Sequence, residues 1–134
     1  MPGTPNKVIL PQTIGNGACS LVGETPITSR TNITGTAGLV KLKDVTANGA
    51  KVYEIKATVQ GNASAGTLCI WRHDGTTSRL FDELQIGDQG SLLYSPNFNV
   101  RKEYDNLCLK PTESLYCSVT VANDLNVFAD VSDF

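Results

Sequence analysis

The 134-residue chain has one histidine, one tryptophan and one methionine, and none of its four cysteines forms a Cys-x-x-Cys pair. Metal-knuckle spacing is absent, so no metal site is expected. Charge is sparse as well. Asp, Glu, Lys and Arg make up 18% of residues, the formal net charge is −2, and the basic residues stand singly apart from Arg101-Lys102. A nucleic-acid binder gathers its cations into a stripe with aromatics between them, so no nucleic-acid partner is expected. No apolar run approaches the roughly 18 residues of a spanning helix, and Met1-Pro2-Gly3-Thr4 lacks the basic-then-apolar order of a secretory signal. The expectation is a chain made in a cytoplasm, with no membrane partner and with reduced, buried cysteines. Phosphate loops and dinucleotide glycine patterns are missing too, and no cofactor is expected.

What is present points to strands. The chain is 40% hydrophobic with twelve Gly, is rich in Thr, Asn and Val, and is short of helix-forming Glu, Lys, Ala and Leu. From Leu39 onward, apolar and polar residues alternate with period two. Tyr53, Ile55, Ala57 and Val59 stand against Glu54, Lys56 and Thr58; Leu115, Cys117, Val119 and Val121 stand against Tyr116, Ser118 and Thr120. Such alternation puts one side of a strand on a core. Turn residues fall between the runs. Asn48-Gly49 separates 39–46 from 51–60, Asp74-Gly75 separates 67–73 from 77–84, and Asn123-Asp124 separates 115–122 from 125–131. Three hairpins are predicted there, because Gly tolerates the positive φ of tight turns. Further runs at 91–95 and 106–110 bring the count to about eight strands. The predicted fold is an all-β sandwich of jelly-roll type, with an open barrel as the alternative.

Residues 1–36 differ from the rest. Pro at 2, 5, 11 and 26 and Gly at 3, 15, 17, 23 and 35 interrupt short apolar pieces such as Val8-Ile9-Leu10 and Leu21-Val22. The expected division is an extended N-terminal arm over 1–36, carrying one or two short strands, and a sandwich domain over 37–134.

The reactive letters gather in Cys69-Ile70-Trp71-Arg72-His73-Asp74-Gly75. Adjacent strand residues point to opposite faces, so Asp74 is badly placed to orient His73; Cys69 and His73 share a face but lie about 13 Å apart along a strand. No catalytic residue is therefore expected, and the segment reads as a strand entering a turn. Asp82-Glu83, with Asp88 or Glu103 opposite, forms no specific acid–base pair, and Asn32-Ile33-Thr34 and Asn62-Ala63-Ser64 are chance glycosylation matches. Because both faces of 68–72 carry apolar groups, the strand is central or turns one face to another subunit. The expected partner-binding residues are Val8, Ile9, Leu10, Leu21 and Val22 in the arm and Trp71, Arg72 and His73 in the hairpin.

The order of features from about Lys51 to Phe134 carries a resemblance. Val52-Tyr53-Glu54-Ile55-Lys56 leads to Gly61-Asn62-Ala63, then Ala65-Gly66-Thr67-Leu68-Cys69-Ile70, the Asp74-Gly75 turn and Arg79-Leu80-Phe81. Leu107-Cys108-Leu109 and Leu115-Tyr116-Cys117-Ser118-Val119-Thr120-Val121 follow. This resembles the small accessory structural proteins of tailed-phage virions, of the head decoration or cement kind, and related head or tail attachment modules. Leu109–Leu115 departs from it, since related modules often carry a Gly-Asp turn there. The resemblance implies a β-sandwich on the capsid surface of a virion, a homo-oligomer and often a trimer, bound to major capsid protein subunits and without catalytic residues. An arm that adds a strand to a neighbour's edge suits that role. The competing expectation is a carbohydrate- or receptor-binding module of a phage tail or fibre, stacking sugars on Trp71, Tyr94 or Tyr116.

Overall fold

The computed structural model describes residues 13–14, 16–59, 64–87 and 99–134, and among them every regular element is a strand. The ten strands are β1 (Thr13–Ile14), β2 (Gly17–Ser20), β3 (Ile33–Thr34), β4 (Val40–Lys43), β5 (Ala50–Val59), β6 (Gly66–His73), β7 (Thr77–Ile86), β8 (Asn99–Leu109), β9 (Ser114–Val119) and β10 (Leu125–Asp133). They form two antiparallel sheets. Sheet I runs β2-β10-β5-β8, with the short β1 also on β10; sheet II runs β3-β7-β6-β9-β4.

Set aside β1 and β3, and number the remaining eight strands in chain order. Sheet I then reads 1-8-3-6 and sheet II 2-7-4-5. The antiparallel pairs 1-8, 2-7, 3-6 and 4-5 form one long ribbon folded over itself, which is the jelly roll. The expected sandwich is therefore the observed fold.

This connectivity corrects two of the three hairpins. A jelly roll of eight strands makes one local hairpin, at the ribbon's tip, and that is β6–β7 with Gly75 at φ 100°. Asn48-Gly49 instead carries the chain from β4 in sheet II to β5 in sheet I, and Asn123-Asp124 carries it from β9 to β10 across the same gap. Gly49 does have the expected φ of 81°, and a Cβ there would run into the Leu109 carbonyl. A glycine fixes the bend, but side-chain burial on either side decides which sheet the next strand joins. The predicted run at 91–95 lies outside the described residues.

Alternation builds the core. Leu125, Val127, Ala129 and Val131 of β10 and Val52, Ile55, Ala57 and Val59 of β5 point into the sandwich, against Leu68, Ile70, Leu115, Cys117 and Val119 of sheet II. The bulge at Tyr53 resets the phase of β5, keeping Val52 and Ile55 on the same side although they are three apart. At 25 cal/mol per Å², each fully buried Leu, Ile or Val contributes roughly 1.5–3 kcal/mol. The rims are tied by polar groups. Lys43 Nζ lies 3.0 Å from Asp133 Oδ1 on one side; on the other, Asp82 takes hydrogen bonds from Lys102 Nζ (2.9 Å) and Tyr104 Oη (2.8 Å).

The expected arm is extended with short strands, and its described part lies on its own sandwich. β2 is the first strand of the ribbon. Beyond it, Ile27 N–H donates to the Val119 carbonyl (2.8 Å). The Thr120 N–H of that same peptide faces β6, so Ile27 sits on the β4 side of β9. Six residues later, Ile33 pairs with Ser78 on the far edge of β7. That is four strand spacings, roughly 19 Å, which six residues span only when extended. The chain thus crosses the outer face of sheet II, with Arg30 ion-paired to Glu83 on the way. It returns through Gly38, which passes against Ile27 Cδ1, to reach β4. Residues 24–39 form a roof.

Candidate functional site

The roof explains the cluster that looked reactive. Cys69 and Trp71 lie on the outer side of β6, yet Trp71 is 0% exposed, and its indole Nε1–H donates to Ser118 Oγ at 2.9 Å. Trp71 is thus a packing residue sealed by its own chain, which corrects its expected role as a partner contact. Leu21 is corrected likewise. At 1% exposure it belongs to the core, and its N–H donates to the Leu125 carbonyl (2.8 Å). Its neighbour Val22 is 49% exposed and open to a partner. Val8, Ile9, Leu10, Tyr94 and Asp88 lie outside the described residues.

His73 is half-buried and makes a structural bond. Ser78 Oγ–H donates to the Gly35 carbonyl (2.6 Å), so Ser78 accepts from His73 Nδ1–H (3.0 Å), and this network fixes the proton on Nδ1. The ring's edge meets Tyr116, centroids 5.6 Å apart, and Lys41 Nζ lies 5.9 Å from the Tyr116 centroid. Asp74 belongs to the turn. Its carboxylate accepts from the N–H of Thr77 (2.8 Å) and Thr76 (2.9 Å) and from Arg79 Nη1 (2.7 Å), and these donors, the Thr77 amide first, hold it well below the usual carboxylate range.

Arg72 acts as a strut between the sheets. Its Nη2 donates to the Cys108 carbonyl of β8 (3.0 Å) and to Glu113 Oε1 (2.9 Å), and its guanidinium lies 5.3 Å from the Phe81 ring centroid. Burial opposes the Glu113 charge, but the Lys110 amide and Arg72 outweigh it and its pKa is lowered. Arg72, Asp74, Arg79, Leu80, Phe81 and Glu113 line a hollow of about 230 Å³ beside the hairpin. Asp82 and Glu83 point to opposite faces and form no acid–base pair; Glu83 binds Arg30, while Asp82 binds Lys102 and Tyr104. Burial raises the Asp82 carboxyl, yet Lys102, Tyr104 and the Glu83 amide, which also donates to it, lower it further, and burial together with Asp82 pushes the Tyr104 phenol up.

All four cysteines are free thiols; Cys69 and Cys117 are buried, Cys19 is half-buried and Cys108 is exposed. The Cys117 thiol is within hydrogen-bond reach of Cys19. That contact lowers Cys19, and burial raises Cys117. Among the described residues, no three His, Cys, Asp or Glu converge as a metal site, and no helix is long and apolar enough to cross a membrane.

The face that sequence reasoning missed is the outer side of sheet I. No described segment crosses it, and Phe128 (47% exposed) and Tyr53 (41%) stand on it. Phe128 sits in the polar phase of a strand whose other phase is Leu125, Val127, Ala129 and Val131. An aromatic out of phase was the available signal. Around it the charges fall in rows. Asp130 pairs with Glu54 and Glu54 with Glu103, while two residues along, Phe128 pairs with Lys56 and Lys56 with Arg101. The arrangement is an exposed face on which charges of both signs stand in adjacent rows.

Compared with protein-family models, with curated proteins and with solved structures, the chain matches none of them.

Proposed function

We propose that this chain is a structural virion protein of the decoration or cement kind, which docks on major capsid protein subunits at a capsid surface and reinforces the shell as a homo-oligomer. The observation that carries the reading is the contrast between faces. One sheet is sealed by its own chain, while the other presents a charge-patterned face that no described segment crosses, of the kind that protein partners use. The jelly roll recurs in viral capsid domains and adds support by analogy of fold. Residues 1–12 would add contacts of their own, and Val22 would widen the surface. The test is mass spectrometry and electron microscopy of particles purified from the chain's source. Stoichiometric chain at regular positions on the shell is expected, and its absence from the particles would end the reading.

A glycan- or receptor-binding module of a tail or fibre is the second reading, and the hollow beside the hairpin favours it. Arg72, Arg79, Asp74 and Glu113 offer donors and acceptors next to Phe81, in a volume suited to one sugar ring. Trp71 plays no part, being buried. Glycan-array binding that disappears in Phe81→Ala and Arg79→Ala, with the fold intact, would favour this module over the lattice protein.

A further inference from the structure

The charge rows on sheet I are arranged against the stability of the lone molecule. Asp130, Glu54 and Glu103 stand side by side on three neighbouring strands, with Lys56 and Arg101 side by side in the adjacent row. Like charges directly opposite across a strand pair destabilise a sheet, whereas alternating signs stabilise it. Elsewhere the chain pairs its charges across elements: Arg30 with Glu83, Arg72 with Glu113, Lys43 with Asp133 and Lys102 with Asp82. On this face the ion pair among described residues is Arg101 to Glu103, exposed and 3.4 Å long. Lys56, Glu54 and Asp130 have no ionic partner among the described residues.

We infer that the outer face of sheet I binds a second copy of this chain about a twofold axis. The axis lies in the interface, runs across the strands and passes between the acidic and basic rows. Rotation by a half turn then sets each acidic row over the other copy's basic row. Lys56 meets Glu54 of the second copy, Arg101 meets its Glu103, and the same two contacts recur in reverse, as a self-complementary interface requires. An unrelated partner would have to match two rows of opposite sign at strand spacing, whereas a second copy carries that pattern already. At the end of the rows the same rotation lays Asp130 of the second copy over Phe128, which covers the ring in the same step. Strands of 4, 9, 10 and 11 residues about 4.8 Å apart give a flat area of roughly 500 Å² per copy, at the small end of specific interfaces, which suits a weak, salt-sensitive dimer. The inference rests on reading this face as a docking surface, and it names a second copy of this chain as the occupant.

Sedimentation velocity of the full chain tests it. A dimer is expected at roughly 0.1 mM protein, with a dissociation constant that rises at least about tenfold between low and high salt as the ion pairs are screened. Lys56→Glu and Glu54→Lys should each be monomeric with an unchanged circular dichroism spectrum, since neither side chain is in the core. Mixed in equal amounts, the two variants should form heterodimers. The reversed positions, 56 of one variant and 54 of the other, then face each other with opposite charges, while the native pair Lys56 to Glu54 is kept at the second contact. A monomeric or trimeric parent chain, a dimer indifferent to both reversals, or a mixture that stays monomeric would each overturn the inference. Dimers and heterodimer rescue in a chain that is absent from purified particles would leave this contact standing and remove the lattice reading.

Discussion

The two sheets of this sandwich share one core and differ in what lies outside it. Outside sheet II, the strap of residues 24–39 crosses twice, so β6 is dry on both faces and Thr67, Leu68, Cys69, Ile70 and Trp71 are buried in succession. Outside sheet I, β10 keeps strict alternation, Leu125, Val127, Ala129 and Val131 in and Phe128 and Asp130 out. A jelly roll needs only the inner faces to hold together. The chain's own segment covers the outer face of sheet II, and no described segment covers that of sheet I.

The largest difference between the faces should appear on truncating one aromatic from each. Trp71→Ala removes a fully buried indole, and a loss of roughly 3–5 kcal/mol in urea unfolding followed by circular dichroism is expected. Phe128→Ala, measured where the chain is monomeric, should stay within about 0.5 kcal/mol. Equal losses would mean that sheet I is also covered. Next comes Arg72→Ala, which severs the strut to Cys108 and Glu113 and should lower stability by roughly 1–3 kcal/mol in the same assay. Arg72→Lys should recover only part of this, because an ammonium does not reproduce the planar guanidinium over Phe81.

Ser78→Ala tests the roof's hold. It removes the hydroxyl that binds the Gly35 carbonyl and accepts from His73, at a cost of about 1–2 kcal/mol, and amide hydrogen exchange should quicken around residues 33–36 before it changes in β5 or β10. Acid makes the smallest change. Asp74, Asp82 and Glu113 have carboxyls held below their ordinary values, so the stability they lend is complete above about pH 5 and is lost as pH falls through the lowered values. Urea midpoints measured from pH 7 down to pH 2.5 should therefore decline at the acid end, less steeply in Asp82→Asn.

Much of sheet I and the tip of the ribbon was legible in the residues. Period-two runs mark β5, β9 and β10, and Asp74-Gly75 marks the one local hairpin. The two-sided apolar character of 68–72 was legible as well, but not what covers its outer face, because 24–39 has no periodic pattern and acts through main-chain bonds at Ile27 and Gly35. β8 begins at Asn99, well before the expected run at 106. Its stretch Arg101-Lys102-Glu103-Tyr104-Asp105 is charged because β8 is an edge strand, where charge blocks further pairing and hides the apolar signal. Leu21 and Val22 met opposite fates, core and solvent, because adjacent residues leave an extended chain on opposite sides. The charge rows were beyond reach, since Glu54, Glu103 and Asp130 meet only once strand order and register are known.

Hydroxyl-radical footprinting of the chain, free and dilute and then assembled, tests the contrast of faces most directly. Tryptophan is among the most readily oxidised side chains, so its protection is diagnostic. Trp71 should be unmodified in both states, with Tyr53 and Phe128 oxidised in the free chain and protected on assembly. Oxidation of Trp71 in the free folded chain, or Phe128 equally exposed before and after assembly, would contradict that contrast.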